Sequence, residues 1–247
     1  MKISQLIYNN PEKISGLNFT LTDEVGESND VDNLLLSYRK TFPEYDIWEF
    51  GTFLGQSICG ITTWLDKNDI KINRFIGFDS LKGLPLEEND PLNNPGWYES
   101  NFSIDKHTSG RITTSEQYKN FLIQTERLPV SYSNKFILIP GYFKDSLNDD
   151  IFTINNLKLP LLINIDCDIY TSTIEVLDFI FRNNYYIKGK TIIRYDDWAN
   201  NGFEFKTGNS RAHFEMTNKY GINCKLLLKH SFGEYKDPEC TWFIIEN

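Results

Sequence analysis

The stretch Ile47–Ser57, IWEFGTFLGQS, joins the end of a strand to the turn that starts a helix. A short apolar run that carries one acid, Glu49, is followed by two glycines, Gly51 and Gly55. Glycine lets a turn adopt backbone angles that other residues avoid, and it lets the backbone approach a ligand closely. The free N–H groups at the start of the next helix favour a negatively charged group. We therefore predict a strand, a glycine turn and a helix that belong to an α/β fold and border a ligand site.

The rest of the chain repeats this order of strand and helix. From about Ile47 onward, short apolar runs alternate with segments of helical period, which is typical of a mostly parallel sheet with helices on both faces. After the first run, apolar positions recur at helical spacing at Ile58, Ile61, Thr62 and Leu65. Seven strands are predicted: Ile47–Phe50, Arg74–Phe78, Phe136–Ile139, Leu161–Ile165, Thr191–Ile193, Cys224–Leu228 and Trp242–Ile245.

The chain is expected to hold one main domain. Residues 1–29 are predicted to form an N-terminal arm, and residues 30–247 the domain itself, beginning with a helix after Asp30. The stretch 85–115 is polar, contains prolines and aromatic residues, and has no clear period. Loops of this length in compact domains are commonly functional, so we expect a lid or substrate wall; a disordered insertion is the alternative.

Charge and composition narrow the class of protein. The chain has 25 Lys and Arg against 34 Asp and Glu, a net charge of −9, which disfavours a nucleic-acid partner. It lacks an apolar run long enough for a membrane helix and an apolar N-terminal leader, so we expect a cytoplasmic protein without a membrane partner. Its four cysteines are scattered, which fits a reducing compartment and disfavours zinc. Assembly into a homo-oligomer stays open.

The first two strand ends predict an adenosyl cofactor. The pattern E-x-G-x-x-x-G, with the acid on the strand, is typical of S-adenosylmethionine-dependent methyltransferases; the glycines could also serve packing alone. Asp79 ends the second strand, where an acid can accept hydrogen bonds from both ribose hydroxyls. The cofactor-binding residues expected here are Glu49, Gly51, Thr52, Gly55, Ser57, Asp79 and Ser80.

Two pairs of acids follow the fourth and fifth predicted strands. Asp166 and Asp168 follow one, and Asp196 and Asp197 follow the other. Neighbouring parallel strands bring their carboxyl ends to the same edge, where four crowded carboxylates favour a hard divalent cation, in the first instance Mg²⁺. The alternatives are unrelated solvated acids, or a D-x-D motif of the kind found in metal-dependent glycosyltransferases.

Taken together, these motifs resemble the macrocin and mycinamicin sugar O-methyltransferases, a class I, S-adenosylmethionine-dependent family whose relatives act on glycosylated natural products. The resemblance covers about residues 45–198, and the joint pattern is more specific than any one glycine turn. Five segments carry it: Trp48–Gly55, Gly77–Pro85, Gly141–Leu147, Asp166–Thr173 and Asp196–Trp198.

The resemblance implies roles for individual residues. Asp166, Asp196 and Asp197 would bind Mg²⁺, and Asp168 would take the proton from the sugar hydroxyl. Glu49, Gly51 and Asp79 would contact the cofactor, with Gly141 and Tyr142 near its adenine. The sequence departs from the family at Cys167, Arg194 and Trp198, which leaves the acceptor open.

The predicted function is Mg²⁺-dependent O-methylation of a sugar. His107, in the predicted lid, is within reach of a substrate and is a second catalytic candidate. Abundant Asn, Ile, Lys and Tyr are typical of an AT-rich genome, unlike the macrolide producers, so we favour a sugar for a surface polysaccharide, nucleotide-linked or not. The alternatives are a glycosylated natural product as acceptor, a glycosyltransferase, and a methyltransferase fold that binds ligand without catalysis.

Overall fold

The computed structural model describes residues 21–25, 28–108, 110, 112–199, 205–232 and 238–246. These residues form an eight-stranded sheet. In chain order the strands are β1 (Leu21–Val25), β2 (Asp46–Phe50), β3 (Phe75–Asp79), β4 (Phe136–Pro140), β5 (Pro160–Ile165), β6 (Ile192–Tyr195), β7 (Cys224–Phe232) and β8 (Pro238–Ile245).

The strand order is β1-β7-β8-β6-β5-β2-β3-β4. The five strands from β6 to β4 pair in parallel, and β8, β7 and β1 continue the sheet with antiparallel pairings. The chain builds one half of the parallel region through β3 and β4, then crosses back to begin the other half at β5. The carboxyl ends of β2 and β5 therefore flank a topological switch point, where open α/β sheets bind their ligands.

Helices cover both faces of the sheet. Alternate residues of β2 point into two separate cores: Ile47 packs with residues of one face, while Trp48 and Phe50 pack with residues of the other. None of the described helices is both long enough and apolar enough to cross a membrane. The helices are α1 (Ser28–Ser37), α2 (Gln56–Lys67), α3 (Ile104–Thr108), α4 (Ser115–Gln124), α5 (Phe143–Ser146), α6 (Ile151–Ile154), α7 (Tyr170–Arg182) and α8 (Gly208–Tyr220), with short 3-10 turns at Phe42–Glu44 and Val130–Tyr132.

The structure contains all seven predicted strands and adds an eighth. Strand β1 lies within the stretch expected to be an arm, and it pairs antiparallel with β7 at the edge of the sheet. Its sequence, LTDEV, has three polar residues in five and no apolar alternation, so nothing local indicated a strand. The pairing partner is about 200 residues away in the chain, and only the assembled sheet makes the strand favourable. Residues 1–20 of the predicted arm lie outside the described residues.

Two acids of the predicted lid form hydrogen bonds with the first turns of α7 and α8, at the carboxyl edge of the sheet. Glu87 accepts hydrogen bonds from the backbone N–H and the hydroxyl of Thr171, both at 2.7 Å, at the start of α7. The buried carboxylate of Asp90 accepts the backbone N–H of Gly208 at 2.8 Å, at the start of α8. Helix N-termini leave N–H groups without partners, and carboxylates satisfy them well. The segment therefore lies over the edge of the sheet where the site forms.

Candidate functional site

Three carboxylates meet at the ends of β5 and β6. Asp166 follows β5, and Asp196 and Asp197 follow β6, directly beside it. The strands are in register at Ile165 and Tyr195, and the backbone N–H of Asp196 donates to the carbonyl of Ile165 at 3.0 Å. One ligand atom from each of the three acids lies within 4.8 Å of the other two. The structure thus brings together the three residues that the resemblance identified as metal ligands.

The carboxylates of this cluster are crowded and partly withdrawn from water. Burial, followed by the charges of Asp196 and Asp197, raises the pKa of Asp166 well above its ordinary value. Burial is the larger cause, whereas the sequence argument relied on repulsion between the acids. Half-buried carboxylates that repel one another are stabilised when they bind a proton or a hard cation. Mg²⁺ is such a cation, and it prefers oxygen ligands. The donor set therefore fits a magnesium ion.

Asp168 occupies a turn, not an extended strand. Strand β5 ends at Ile165, so Asp166 and Asp168 both follow it, as predicted, and strand geometry does not fix how their side chains point. Asp168 has a left-handed backbone (φ 62°), and the N–H of Ile169 donates to the carbonyl of Cys167 at 2.7 Å. Asp197 lies close enough to Asp168 to lower the pKa of its carboxyl group. Burial, and then Asp166, raise the pKa of Asp168 well above its usual range, which makes it a stronger base than a surface aspartate.

A row of buried polar side chains runs across the sheet towards the cluster. In the strand registers Glu49 faces Asn164, and Asn164 faces Arg194. All three residues are fully buried. The guanidinium of Arg194 donates one hydrogen bond to Asn164 Oδ1 and another to Asp196 Oδ1. The sequence marked Arg194 as a departure from the family pattern, whereas Asn164, in the apolar run LLINI, gave no local signal.

Glu49 is the acid of the glycine-turn motif, and it is held inside the protein. The hydroxyl of Ser57, in the first turn of α2, donates a hydrogen bond to Glu49 Oε1. Burial is the main cause that raises the pKa of Glu49 to about 8, while Ser57 and the charge of Arg194 oppose the rise. Two predicted cofactor residues are therefore joined directly, one on β2 and one on the helix that follows.

The glycine turn is packed tightly against its surroundings. Gly51 has φ +84°, and a Cβ there would lie 1.8 Å from the carbonyl oxygen of Asp166. Gly55 has φ +81°, and its Cβ would lie 2.4 Å from Leu122 Cδ2 on α4. Close packing against backbone therefore requires Gly51, and at Gly55 the left-handed backbone together with Leu122 disfavours a larger residue, as the alternative interpretation of the motif held. The same packing places the turn directly against the backbone of the acidic cluster.

Asp79 ends β3 and binds the glycine turn through its side chain. Its Oδ2 accepts the backbone N–H groups of Thr52 at 2.8 Å and Phe53 at 2.9 Å. Its Oδ1 accepts the N–H of Leu81 at 2.6 Å. The hydroxyl of the neighbouring Ser80 donates to the carbonyl of Gly83 at 2.8 Å, within its own turn. The predicted ribose acceptor thus also has a structural role, which the sequence did not indicate.

Several solved methyltransferases have a similar structure. The calicheamicin methyltransferase CalS11 matches with a TM-score of 0.57 and 18% identity, over 87% of this chain and 79% of that one. The O-methyltransferase NovP matches with a TM-score of 0.54 and 17% identity, over 87% and 80%. The fold is that of a class I methyltransferase.

A further match to this class I methyltransferase fold covers more of the chain. The apo structure of CalS11, named as a TDP-rhamnose 3'-O-methyltransferase of calicheamicin biosynthesis, has a TM-score of 0.50 and 17% identity over 98% of this chain and 91% of that one. No family model and no curated protein matches the sequence. Similarity at this level of identity confirms the predicted fold.

The remaining predicted residues surround the same edge of the methyltransferase fold. Gly141, after β4, donates its N–H to the carbonyl of Asp79 at 3.0 Å, so the turn before α5 lies beside the end of β3. Tyr142 is half-buried, and burial and then Glu99 of the lid segment raise its pKa. His107 on α3 is exposed, and its ring meets the ring of Phe53 edge-on at 5.0 Å. The segment predicted to be a lid therefore contacts the glycine turn.

Two residues that the sequence did not indicate also bind the glycine turn. Tyr118 on α4 is fully buried, and its hydroxyl donates to the carbonyl of Thr52 at 3.3 Å. Arg127 donates to the carbonyl of Leu54 at 2.6 Å. The two side chains bind carbonyl groups of the glycine turn, whereas Asp79 binds its N–H groups. Helix α4 and the residues just after it thus help to shape the predicted cofactor site.

Proposed function

We propose that this protein is an S-adenosylmethionine-dependent and divalent-metal-dependent O-methyltransferase that acts on a sugar hydroxyl. One observation carries the proposal: the acidic cluster of Asp166, Asp196 and Asp197 lies against the glycine turn at the switch point of a class I methyltransferase fold. A cofactor in the turn and an acceptor at the cluster would therefore be neighbours. Such proximity is the main requirement for a methyl transfer between two bound groups.

The residues around the turn support a site for the cofactor. When bound, S-adenosylmethionine supplies the methyl group as an activated sulfonium, so the protein needs no nucleophile of its own. Asp79 would bind the ribose, Gly141 and Tyr142 would lie near the adenine, and the turn itself would hold the methionine part. Thr52, Gly55, Ser57 and Ser80 complete the proposed set by shaping that turn and its acids.

The acidic cluster would bind Mg²⁺ and the acceptor. When bound there, the cation supplies positive charge that lowers the pKa of a sugar hydroxyl and orients it. Asp168 lies beside the cluster and outside the set of three, and its raised pKa suits a group that accepts a proton. We therefore assign the proton transfer to Asp168. His107, on the lid beside the glycine turn, remains the second candidate.

The acceptor is proposed to be a sugar, either nucleotide-linked or part of a glycosylated product. CalS11 is named as acting on TDP-rhamnose, and NovP is named as an O-methyltransferase. The lid offers the exposed aromatic side chain of Tyr98, a surface suited to stacking on a sugar or base. We favour methylation of a sugar that is destined for a surface polysaccharide. The reaction would take place in the cytoplasm, without a nucleic-acid or membrane partner. A homo-oligomer is compatible with it.

The test uses the purified protein and labelled S-adenosylmethionine. A panel of nucleotide sugars is offered with Mg²⁺, with excess EDTA, and with EDTA followed by excess Mg²⁺. We expect methylated product that EDTA abolishes and Mg²⁺ restores, while calorimetry shows that S-adenosylhomocysteine still binds in EDTA. Full activity in EDTA would refute the metal dependence. Binding of a sugar nucleotide with release of free sugar, and no affinity for S-adenosylhomocysteine, would instead support a glycosyltransferase.

A further inference from the structure

Arg194 is a charged residue in the interior of the sheet. It lies on β6, two residues before Asp196, and its side chain has no exposed surface. Burying a guanidinium without partners is strongly unfavourable, so a buried arginine is held by hydrogen bonds and opposite charge. A valine or isoleucine would fit the apolar pattern of this strand. The presence of an arginine therefore calls for a specific role.

The guanidinium is held in place from two neighbouring strands. On β5, the fully buried Asn164 accepts a hydrogen bond from its Nη1. On β8, Trp242 faces Arg194 in the strand register, and its ring centre lies 5.8 Å from Cζ. These contacts leave the planar group little freedom. Its Nη2 is thereby directed to Oδ1 of Asp196.

Asp196 receives this hydrogen bond just beyond the end of β6. Its side chain is 25% exposed and follows the last residue of β6, where the strand no longer constrains it. Asp166 and Asp197 place like charges close to this carboxylate, and such repulsion favours other orientations of the side chain. The forked guanidinium offers two N–H groups in fixed directions, and a carboxylate bound to one of them keeps a defined orientation.

We propose that Arg194 is a positioning residue that orients the carboxylate of Asp196 for a divalent cation, anchored in turn by Asn164. The proposal rests on the proposed metal site and deepens it. Partners behind a metal ligand commonly change metal affinity by 10-fold to 100-fold when they are removed. The positive charge of Arg194 acts in the opposite direction, because it repels a cation. Geometry and charge therefore predict opposite signs, and a variant that separates them decides between the two.

Arg194→Lys is that variant, because it keeps the charge and loses the fork that reaches both Asn164 and Asp196. The measurement is the affinity of the cofactor-free protein for Mn²⁺, read from the free-ion signal in electron paramagnetic resonance. We expect binding 10-fold to 100-fold weaker than wild type in Arg194→Lys and also in Arg194→Gln. The affinity for S-adenosylhomocysteine in Arg194→Lys should stay within about twofold, which a general loss of structure would not allow.

Controls separate this inference from the metal site itself. Arg182→Lys makes the same change on α7, at a partly exposed arginine paired with Asp178 and Asp149, and should leave Mn²⁺ affinity unchanged. Asp166→Asn should weaken Mn²⁺ binding more strongly than Arg194→Lys does. If Asp166→Asn weakens it while Arg194→Lys binds as well as wild type, or Arg194→Gln binds more tightly, the positioning role is refuted and the metal site stands. If wild type binds no Mn²⁺, or Asp166→Asn binds it as well as wild type, both proposals fail. If Arg194→Gln does not fold, Arg194→Lys alone decides.

Discussion

The carboxylate of Asp79 closes the turn that begins at Thr52, since its Oδ2 accepts the Thr52 backbone N–H at 2.8 Å. Phe53 and Leu81 donate two further backbone N–H groups to the same side chain. The Thr52 hydroxyl also donates to Oδ2, at 3.3 Å, whereas Oδ1 accepts only the Leu81 N–H. A carboxylate oxygen has two lone pairs, so Oδ1 keeps one acceptor position for a ligand hydroxyl. One residue at the end of β3 thus shapes the proposed cofactor site and has the capacity to bind within it.

Replacing Asp79 with Asn should weaken cofactor binding. The amide keeps the size of the side chain but cannot accept hydrogen bonds at both ends, so the turn or the ribose loses its partner. We expect S-adenosylhomocysteine to bind at least about tenfold more weakly, which corresponds to about 1.5 kcal/mol. Calorimetry on the folded variant measures this. Asp69→Asn, at an exposed acid paired with Arg39, is the control and should bind normally; equal affinity in both variants would refute the assignment of Asp79.

Asp166 and Asp168 should differ in what their loss does to the reaction. Asp168→Asn keeps the hydrogen-bonding capacity of the side chain and removes its basicity, so kcat should fall by about 10² to 10⁴ while metal affinity changes little. Asp166→Asn should instead raise the Mg²⁺ concentration that gives half of the maximal rate. Steady-state kinetics over a Mg²⁺ titration separates the two effects. Near-normal turnover of Asp168→Asn would move the proton transfer to another group, with His107 the next to test.

Substitution of Gly51 should destabilise the protein, because Gly51 packs against the backbone of Asp166. An alanine Cβ would meet the Asp166 carbonyl oxygen at 1.8 Å, and backbone atoms on both sides would have to move. We expect Gly51→Ala to lower the free energy of unfolding by more than about 3 kcal/mol, beyond the usual range for single substitutions.

Gly189 is the matched control for this prediction. It also has a left-handed backbone, φ +68°, but a Cβ there would meet nothing within 4 Å. Gly189→Ala should therefore cost only the backbone term, about 1 kcal/mol. Urea denaturation of both variants measures the difference, and equal losses would show that close packing at Gly51 contributes nothing.

His213 should make the stability of the protein depend on pH. Burial lowers the pKa of its ring to about 3, and its Nδ1 lies 2.8 Å from the hydroxyl of Tyr195. In the unfolded chain a histidine has a pKa near 6.5, so the unfolded state binds the proton first as the pH falls. The stability from the neutral ring is therefore fully present above about pH 6.5 and is lost as the pH falls towards 3.

The variant His213→Gln isolates this effect because glutamine does not titrate. Relative to the variant, wild type should lose about 2 kcal/mol of unfolding free energy between about pH 6.5 and pH 4.5. Urea denaturation at the two pH values gives the comparison. A difference between the proteins that stays constant with pH would show that His213 takes up a proton as readily in the folded state as in the unfolded state.

The sequence predicted most strands and the buried helix faces of this protein, because these depend on local patterns of apolar residues. The strands of the parallel region follow from short apolar runs, and the buried face of α2 at Ile58 and Ile61 follows from helical spacing. The positions of Asp166 and Asp196 at neighbouring strand ends follow from the order of strands in such folds. Strand β1 escaped prediction because its five residues become a strand only through pairing with β7.

Amino-acid order alone thus determined which acids reach the carboxyl edge and that a glycine turn lies near them. Only the tertiary structure decided how those groups face one another. The left-handed backbone of Asp168 and the contact between Gly51 and Asp166 arise where separate strands end and pack. The bond from Arg194 to Asn164 depends on the register between β5 and β6. Such contacts join residues far apart in the chain, and their geometry is set by close packing, which a local pattern of residue types does not encode.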